Sequence, residues 1–298
     1  MFKNNYPDYY YTEDGFRIFH TTNFKRDEFN PEEPLLVFNY GLVCNNAHWQ
    51  DQLPFFDGLE YQILIHDYRC HYSSSGSAED VDTINFGTLA KDLKQVIDQF
   101  SPKRVVMIGH SMGVNVTLEF AKLYPEITST IALISGTVIP PQDIMFDSNI
   151  VDLVSPYVEM LMEKFPNIYK KIWKTSYMNP IARILVHQGG FNVAKVPEEF
   201  IQIYMKRIGE LPSEIFIKLL NEMHDHDIIN HLESIKVPTL IIGGDKDKII
   251  PNHVQGILKK YLPHSELYIV KDGSHVPQAD FPDSINRRIL RFMEKHLV

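Results

Sequence analysis

The sequence predicts a mostly parallel α/β sheet, covered by helices on both faces and interrupted by a long helical insertion. Continuously apolar runs such as VVMI and TLII are what strands buried on both faces of a parallel sheet contain. These runs alternate with helical periodicity, the pattern of right-handed βαβ crossovers. Between the strand ending near Ile134 and the one beginning near Thr239 lie about 100 residues, far more than a crossover needs.

The elements follow in order. A tyrosine-rich stretch at 9–12 and the run at 16–20 open the chain, and LLVF at 35–38, YQILIH at 61–66, RVVMI at 104–108 and TIALI at 130–134 read as strands. TLII at 239–242 and ELYIV at 266–270 continue the sheet. Ile84, Leu89, Leu93, Val96 and Ile97 share one helix face, with Asp82 or Thr83 as the expected N-cap. Ile285, Ile289, Phe292 and Met293 do the same in a terminal helix at 284–296. In the insertion, helices are expected at 151–165, 167–187, 198–209 and 213–224, punctuated by Pro166, Pro197 and Pro212. The domains expected are a core of residues 1–137 and 234–298 and a helical cap of residues 138–233.

Composition narrows the partners. The chain has 298 residues with 44% hydrophobic and 22% charged, the balance of a soluble globular protein. Twenty-nine basic against 38 acidic residues leave a net charge of −9, which repels nucleic acid and anionic membranes and leaves small molecules as the expected ligands. Cys44 and Cys70 make neither a disulfide framework nor a zinc pattern. No signal-peptide core or membrane-length apolar run is seen, so the expected location is cytoplasmic. Oligomeric state is not legible.

Chemistry concentrates after three strands. Directly after RVVMI comes Gly109-His110-Ser111-Met112-Gly113, a G-x-S-x-G pattern between a strand and a helix-like stretch. The turn is tight enough to demand glycine two residues before and after the serine. Ser111 then stands at a helix N-terminus, where free amides favour developing negative charge, and the Met112 N–H becomes a candidate oxyanion donor. A serine hydroxyl needs a histidine base, which in turn needs a carboxylate. His275 follows ELYIV on the loop KDGSH, and Asp247 follows TLII on GGDKDKIIP. Asp245 competes for the acid role, but its place next to the glycines fits a turn-forming residue better.

These residues resemble the α/β-hydrolase superfamily, in its capped branch of serine esterases and lipase-like enzymes. The resemblance rests on GHSMG at 109–113, GGDKDKIIP at 243–251 and DGSH at 272–275. It implies a Ser111–His275–Asp247 triad and an oxyanion loop at 39–43, where Tyr40 stands in place of the family histidine and Leu42 N–H is the second oxyanion donor. The family loop Asp-x-Arg-Gly-x-Gly-x-Ser corresponds to Asp67-Tyr68-Arg69-Cys70-His71-Tyr72-Ser73-Ser74, with both glycines replaced. Asp67 and Arg69 are read there as architecture, and a Cys70–His71 nucleophile pair is set aside because sequence neighbours seldom face each other.

His224, His226 and His231, with Asp225 and Asp227, allow a metal reading, but a turn in which Asp227 caps the helix at 228–235 is simpler. No metal or cofactor is expected. Six of the ten methionines, including Met160, Met205 and Met223, lie in the insertion and fit either an apolar acyl pocket or plain core. The expected function is hydrolysis of a small to medium carboxylic ester through an acyl-enzyme. The same triad also serves thioester, lactone or C–C bond hydrolysis, perhydrolysis and acyl transfer, and a small-molecule receptor on the same scaffold is the non-enzymatic alternative.

Overall fold

The computed structural model describes residues 2–42, 44–140, 157, 160, 161, 163–175, 191, 192, 195, 196 and 198–297. Its strands are β1 (Tyr6–Tyr11), β2 (Arg17–Thr22), β3 (Leu35–Asn39), β4 (Gln62–His66), β5 (Val105–His110), β6 (Thr128–Ile134), β7 (Thr239–Gly244) and β8 (Ser265–Val270). They form one eight-stranded sheet in the order β1-β2-β4-β3-β5-β6-β7-β8. β1 and β2 pair antiparallel, as do β2 and β4, and every later pairing is parallel.

Alternation along each strand divides the core. Leu35, Val37, Val105, Met107 and Ile241 face one apolar layer, which α2 (Phe86–Asp98), α3 (Gly113–Leu123) and α7 (Asn252–Tyr261) complete with Leu93, Leu118 and Leu258. Leu36, Phe38, Val106, Ile108 and Ile242 face the other layer, closed by α1 (Gln52–Gly58) and α9 (Pro282–His296) through Phe56, Ile289 and Phe292. Burial on both faces is why these strands read as unbroken apolar runs. Each fully buried Leu, Ile or Phe contributes about 1.5–3 kcal/mol. α2 starts one turn later than the sequence predicts: Asn85, not Asp82 or Thr83, is the N-cap, accepting from Thr88 N–H at 2.8 Å. Residues Ala78–Thr83 form a separate 3-10 turn capped by Ser77.

Within the insertion the described residues form α4 (Pro166–Lys174), α5 (Glu198–Glu210), α6 (Ser213–Asp225) and a 3-10 turn at Ile229–Ser234. The expected helix at 151–165 lies largely outside the described residues, as does 176–187 of the next one. Asp227 does not cap the 3-10 turn; its carboxylate accepts from Asn230 Nδ2 at 2.6 Å and Ile228 holds the N-cap position. α6 packs Ile215, Leu219 and Met223 against Phe86, Met112 and Val116. α5 packs Phe200, Ile201 and Met205 against Val276 and Ala279, next to α8 (Pro277–Asp280).

The loop at 67–74 is pinned by Arg69, buried to 1% exposure. Its Nε and one terminal nitrogen donate to the two oxygens of buried Asp92 at 2.7 and 2.6 Å, and Asp14 pairs with the guanidinium from the surface at 2.9 Å. Phe16 lies under the guanidinium at 4.2 Å. The missing family glycines leave a mark: Cys70 and Tyr72 sit in their places with φ of 62° and 40°, a left-handed backbone that costs a side-chain-bearing residue roughly 1–2 kcal/mol.

Removing Asp92 strands a buried cation, so Asp92→Ala is expected to lower stability by about 3–5 kcal/mol. Asp14→Ala, at a half-exposed partner, should cost under about 1 kcal/mol. Urea unfolding of the two variants checks the difference.

Candidate active site

The parallel register brings the carboxyl ends of β3, β5, β7 and β8 to one edge. Asn39 pairs with Gly109 and Gly244 with Val270, so the loops leaving these strands emerge side by side. Ser111 makes the turn after β5 with φ of 53°, and its own N–H donates to Ile134 C=O at 2.9 Å. The glycines around it answer to close contacts. A Cβ on Gly113 would fall 2.2 Å from Asn39 O, and one on Gly109 2.5 Å from Thr117 Oγ1.

Three sequence-predicted residues meet at this edge. His275 Nε2 lies 3.1 Å from Ser111 Oγ, and His275 Nδ1 lies 3.0 Å from Asp247 Oδ2. Asp247 and His275 are buried. The other oxygen of Asp247 accepts the N–H groups of Ile249 and Ile250 at 2.9 and 2.8 Å, so the carboxylate is aimed as well as held. A carboxylate on Nδ1 keeps the proton there and leaves Nε2 to accept from the serine hydroxyl. Asp245 is exposed and lies near Lys246, away from His275.

The segments that carry the expected oxyanion donors approach each other. A Cβ on Gly41 would lie 2.9 Å from Ser111 Cβ, which places the residue before Leu42 directly against the turn. Neither the Leu42 nor the Met112 N–H has an acceptor among the described residues. Tyr40, which stands at the sequence position of the family histidine, is held by bonds of its own. Its hydroxyl accepts from Tyr68 N–H at 3.2 Å and donates to Asp67 Oδ1 at 3.4 Å, while the Tyr68 hydroxyl donates to Tyr40 C=O at 2.9 Å. The loop at 40–44 is thereby tied to the loop at 67–74. Burial pushes the Asp67 carboxyl up to about 6.

Further contacts hold the histidine loop. His110, the residue before the serine, donates from Nε2 to His275 C=O at 2.9 Å. Buried Asp280 accepts the Ser274 N–H, and burial pushes its carboxyl up to about 6. Asn192, from the insertion, donates from Nδ2 to Asp272 C=O at 2.9 Å. His48 stacks on His110 with ring centroids 4.3 Å apart, and Gln278 pairs with its Nε2. Sequence reasoning misses His48, His110, Gln278 and Asp280; only the position of His110 inside GHSMG marks any of them.

The metal reading of 224–231 does not form a cluster. His226 bonds Asn115 and Glu119 at 3.1 Å each, and His224 pairs with exposed Asp225. Among the described residues the converging set is Cys44, His48 and His110 instead. Of the expected pocket residues, Met205 and Met223 are buried in separate clusters, Met160 is exposed, and Met145, Met162 and Met178 lie outside the described residues. A cavity of about 650 Å³ beside Trp173 and Leu211 has none of the three converging residues in its wall.

Burial makes this region resist protonation. It lowers His48 and His66 to about 3 and His71 to about 4, and drives His110 well below its ordinary range with help from the neighbouring rings of His48 and His275. Unfolding restores ordinary histidines, so the unfolded chain binds more protons between pH 4 and 6.5 and stability falls as pH drops through that window. Each such histidine contributes up to about 1.4 kcal/mol per pH unit. The carboxyls of Asp51, Asp67, Asp92 and Asp280, raised by burial, act in the opposite direction but are fewer than the lowered histidines, which include His20. The urea midpoint is therefore expected to fall between pH 7 and 5, with a shallower slope in His66→Gln; a midpoint that rises on acidification contradicts the assignment.

Comparison with known proteins agrees with this architecture. Residues 34–282 match the alpha/beta hydrolase fold family. Human Protein ABHD8 is 25% identical over 265 residues, which cover 87% of this chain and 55% of that protein, so the chain spans about half the length of such relatives. The pimeloyl-(acyl-carrier protein) methyl ester esterase of Vibrio atlanticus is 26% identical over 273 residues, covering 88% of this chain and 95% of the relative. The enol-lactonase of Burkholderia xenovorans LB400 superposes with a TM-score of 0.74 at 15% identity, over 96% of this chain and 100% of that one, a likeness of fold. With its sheet order, its strand-to-helix turn and a match spanning residues 34–282, the chain belongs to the α/β-hydrolase fold family.

Proposed function

We propose that the protein is a serine hydrolase that cleaves a small to medium carboxylic ester through an acyl-enzyme. The observation that carries this reading is the unbroken line from Asp247 Oδ2 through His275 to Ser111 Oγ, at 3.0 and 3.1 Å, built from three separate loops. His275 takes the Ser111 proton as Oγ attacks the ester carbonyl, and Asp247 stabilises the imidazolium that forms. The Leu42 and Met112 amides receive the oxyanion. The imidazolium then protonates the departing alcohol, and water, deprotonated by His275, releases the acid and restores Ser111.

Residues 138–233 act in this reading as a cap. Its support is the packing of α5 on Val276 and Ala279, just beyond His275, and of α6 on Met112, next to Ser111. A cavity of about 10 Å³ between the oxyanion loop and α5, lined by Cys44, His48, Phe200 and Tyr204, is too small for an acyl group, so substrate entry displaces α5. The substrate end that enters there is apolar in this reading, supported by Ala47, Phe200 and Ile203 in a wall that also holds Asn45 and Arg207. We place the protein in a reducing cytosol, supported by two cysteines that are both free and buried. No helix among the described residues is long and apolar enough to cross a membrane.

A panel of p-nitrophenyl esters of increasing acyl length tests the reading. Wild type should turn over the shorter members, and Ser111→Ala should lose at least about 1,000-fold. A wild type no faster than that variant and unlabelled by a fluorophosphonate at Ser111 sinks the proposal; turnover of lactones or thioesters in preference to these esters moves the substrate class while keeping the triad. Asp247→Asn is expected to lower kcat by about 10,000-fold while Asp245→Asn stays near wild type.

A further inference from the structure

Cys44, His48 and His110 form a buried cluster that takes no part in the proton transfers of the hydrolytic reading, although Cys44 and His48 also line the small cavity beside α5. Their exposures are 3%, 4% and 1%, and the Cys44 sulfur and one nitrogen from each ring lie within 4.8 Å of one another. The Nδ1 atoms of His48 and His110 are buried without a hydrogen-bond partner. Two orphaned imidazole nitrogens beside a thiol are a costly arrangement that calls for a ligand, since buried polar atoms are ordinarily satisfied. The backbone of Cys44 and one nitrogen of His110 are already held. Cys44 donates its N–H to Gly41 C=O at 3.1 Å and accepts the Tyr72 hydroxyl on its own carbonyl at 2.7 Å. His110 is held by its Nε2 bond to His275 C=O, which leaves Nδ1 as a bare acceptor. Gln278 Oε1 is also unpartnered, and turning that amide over lets it accept from His48 Nε2–H and leaves His48 Nδ1 bare as well.

We propose that Cys44, His48 and His110 bind a single soft monovalent metal ion, Cu(I). Charge decides between ions. On binding, the Cys44 thiol loses its proton to solvent and its sulfur bonds the metal, so a monovalent ion leaves the buried site neutral while Zn²⁺ leaves a net positive charge in a dry interior. Ligand number agrees, because three donors complete a trigonal Cu(I) site but leave Zn²⁺ one short of its usual four. The two rings stand 31° from parallel with centroids 4.3 Å apart, so sharing one ion requires them to turn apart. The ion links the oxyanion loop, through Cys44 and His48, to the residue preceding Ser111.

The test is an anaerobic titration of the full chain with Cu(I) held by bicinchoninate, whose colour is lost when the protein takes the metal. Wild type is expected to withdraw one equivalent, Cys44→Ser and His48→Gln to bind at least about 100-fold more weakly, and Cys70→Ser to match wild type. Sulfur and nitrogen neighbours in the copper X-ray absorption spectrum supply a readout independent of ester turnover. A wild type that leaves the metal with bicinchoninate overturns the proposal, as does a Cys44→Ser variant with wild-type affinity or displacement of the bound copper by stoichiometric Zn²⁺. If Cys44→Ser does not fold, wild type against His48→Gln decides.

Discussion

The approach of the Ser111 turn to the backbone of residues 39–41 is the constraint on which the rest of the site depends. Pairing of Asn39 with Gly109 brings β3 and β5 to the edge in step, and Gly113 then touches Asn39 so closely that a methyl group has no room. Everything polar at the edge is arranged around that contact. Asn39 Nδ2 donates to Thr117 on α3, and Thr117 in turn donates to Gly113 C=O. The strained backbone at Ser111 persists because the sheet on one side and α3 on the other leave it no alternative.

A second consequence is electrical. The edge is crowded with imidazoles, yet burial keeps His48 and His110 uncharged, so they add hydrogen bonds and packing without competing for Asp247. Asp247 faces His275, and its remaining bonds are to backbone amides. One carboxylate therefore sets one ring, and the neighbouring rings serve as neutral supports. Asp280, held under the same loop, fixes the Ser274 amide rather than an imidazole.

Strands buried on both faces must be apolar throughout, so the core strands are plain in the amino-acid sequence, and their order places Ser111, Asp247 and His275 on loops that do converge. The start of α2 is less legible because Asp82 and Thr83 are used in a 3-10 turn of their own, a choice between two short-range options that the helical pattern does not settle. The supporting residues are harder still. Gln278, Asp280 and His48 gain their roles from tertiary contacts, and no local pattern announces them. The backbone of Cys70 and Tyr72 is hidden for another reason: tertiary contacts around Arg69 impose on them a conformation that their own preferences oppose.

The apolar seam between α5 and the segment after His275 has a consequence for variation. Phe200, Ile201 and Met205 touch Val276 and Ala279, one and four residues beyond the histidine, while Phe200 also packs its ring on His48 at 5.5 Å. A substitution on that helix which alters what fits beneath it also presses on the ring facing Ser111. Under the proposed function, selectivity and turnover are mechanically geared together, and a lineage exploring new substrates through α5 has to retune the histidine loop with each step.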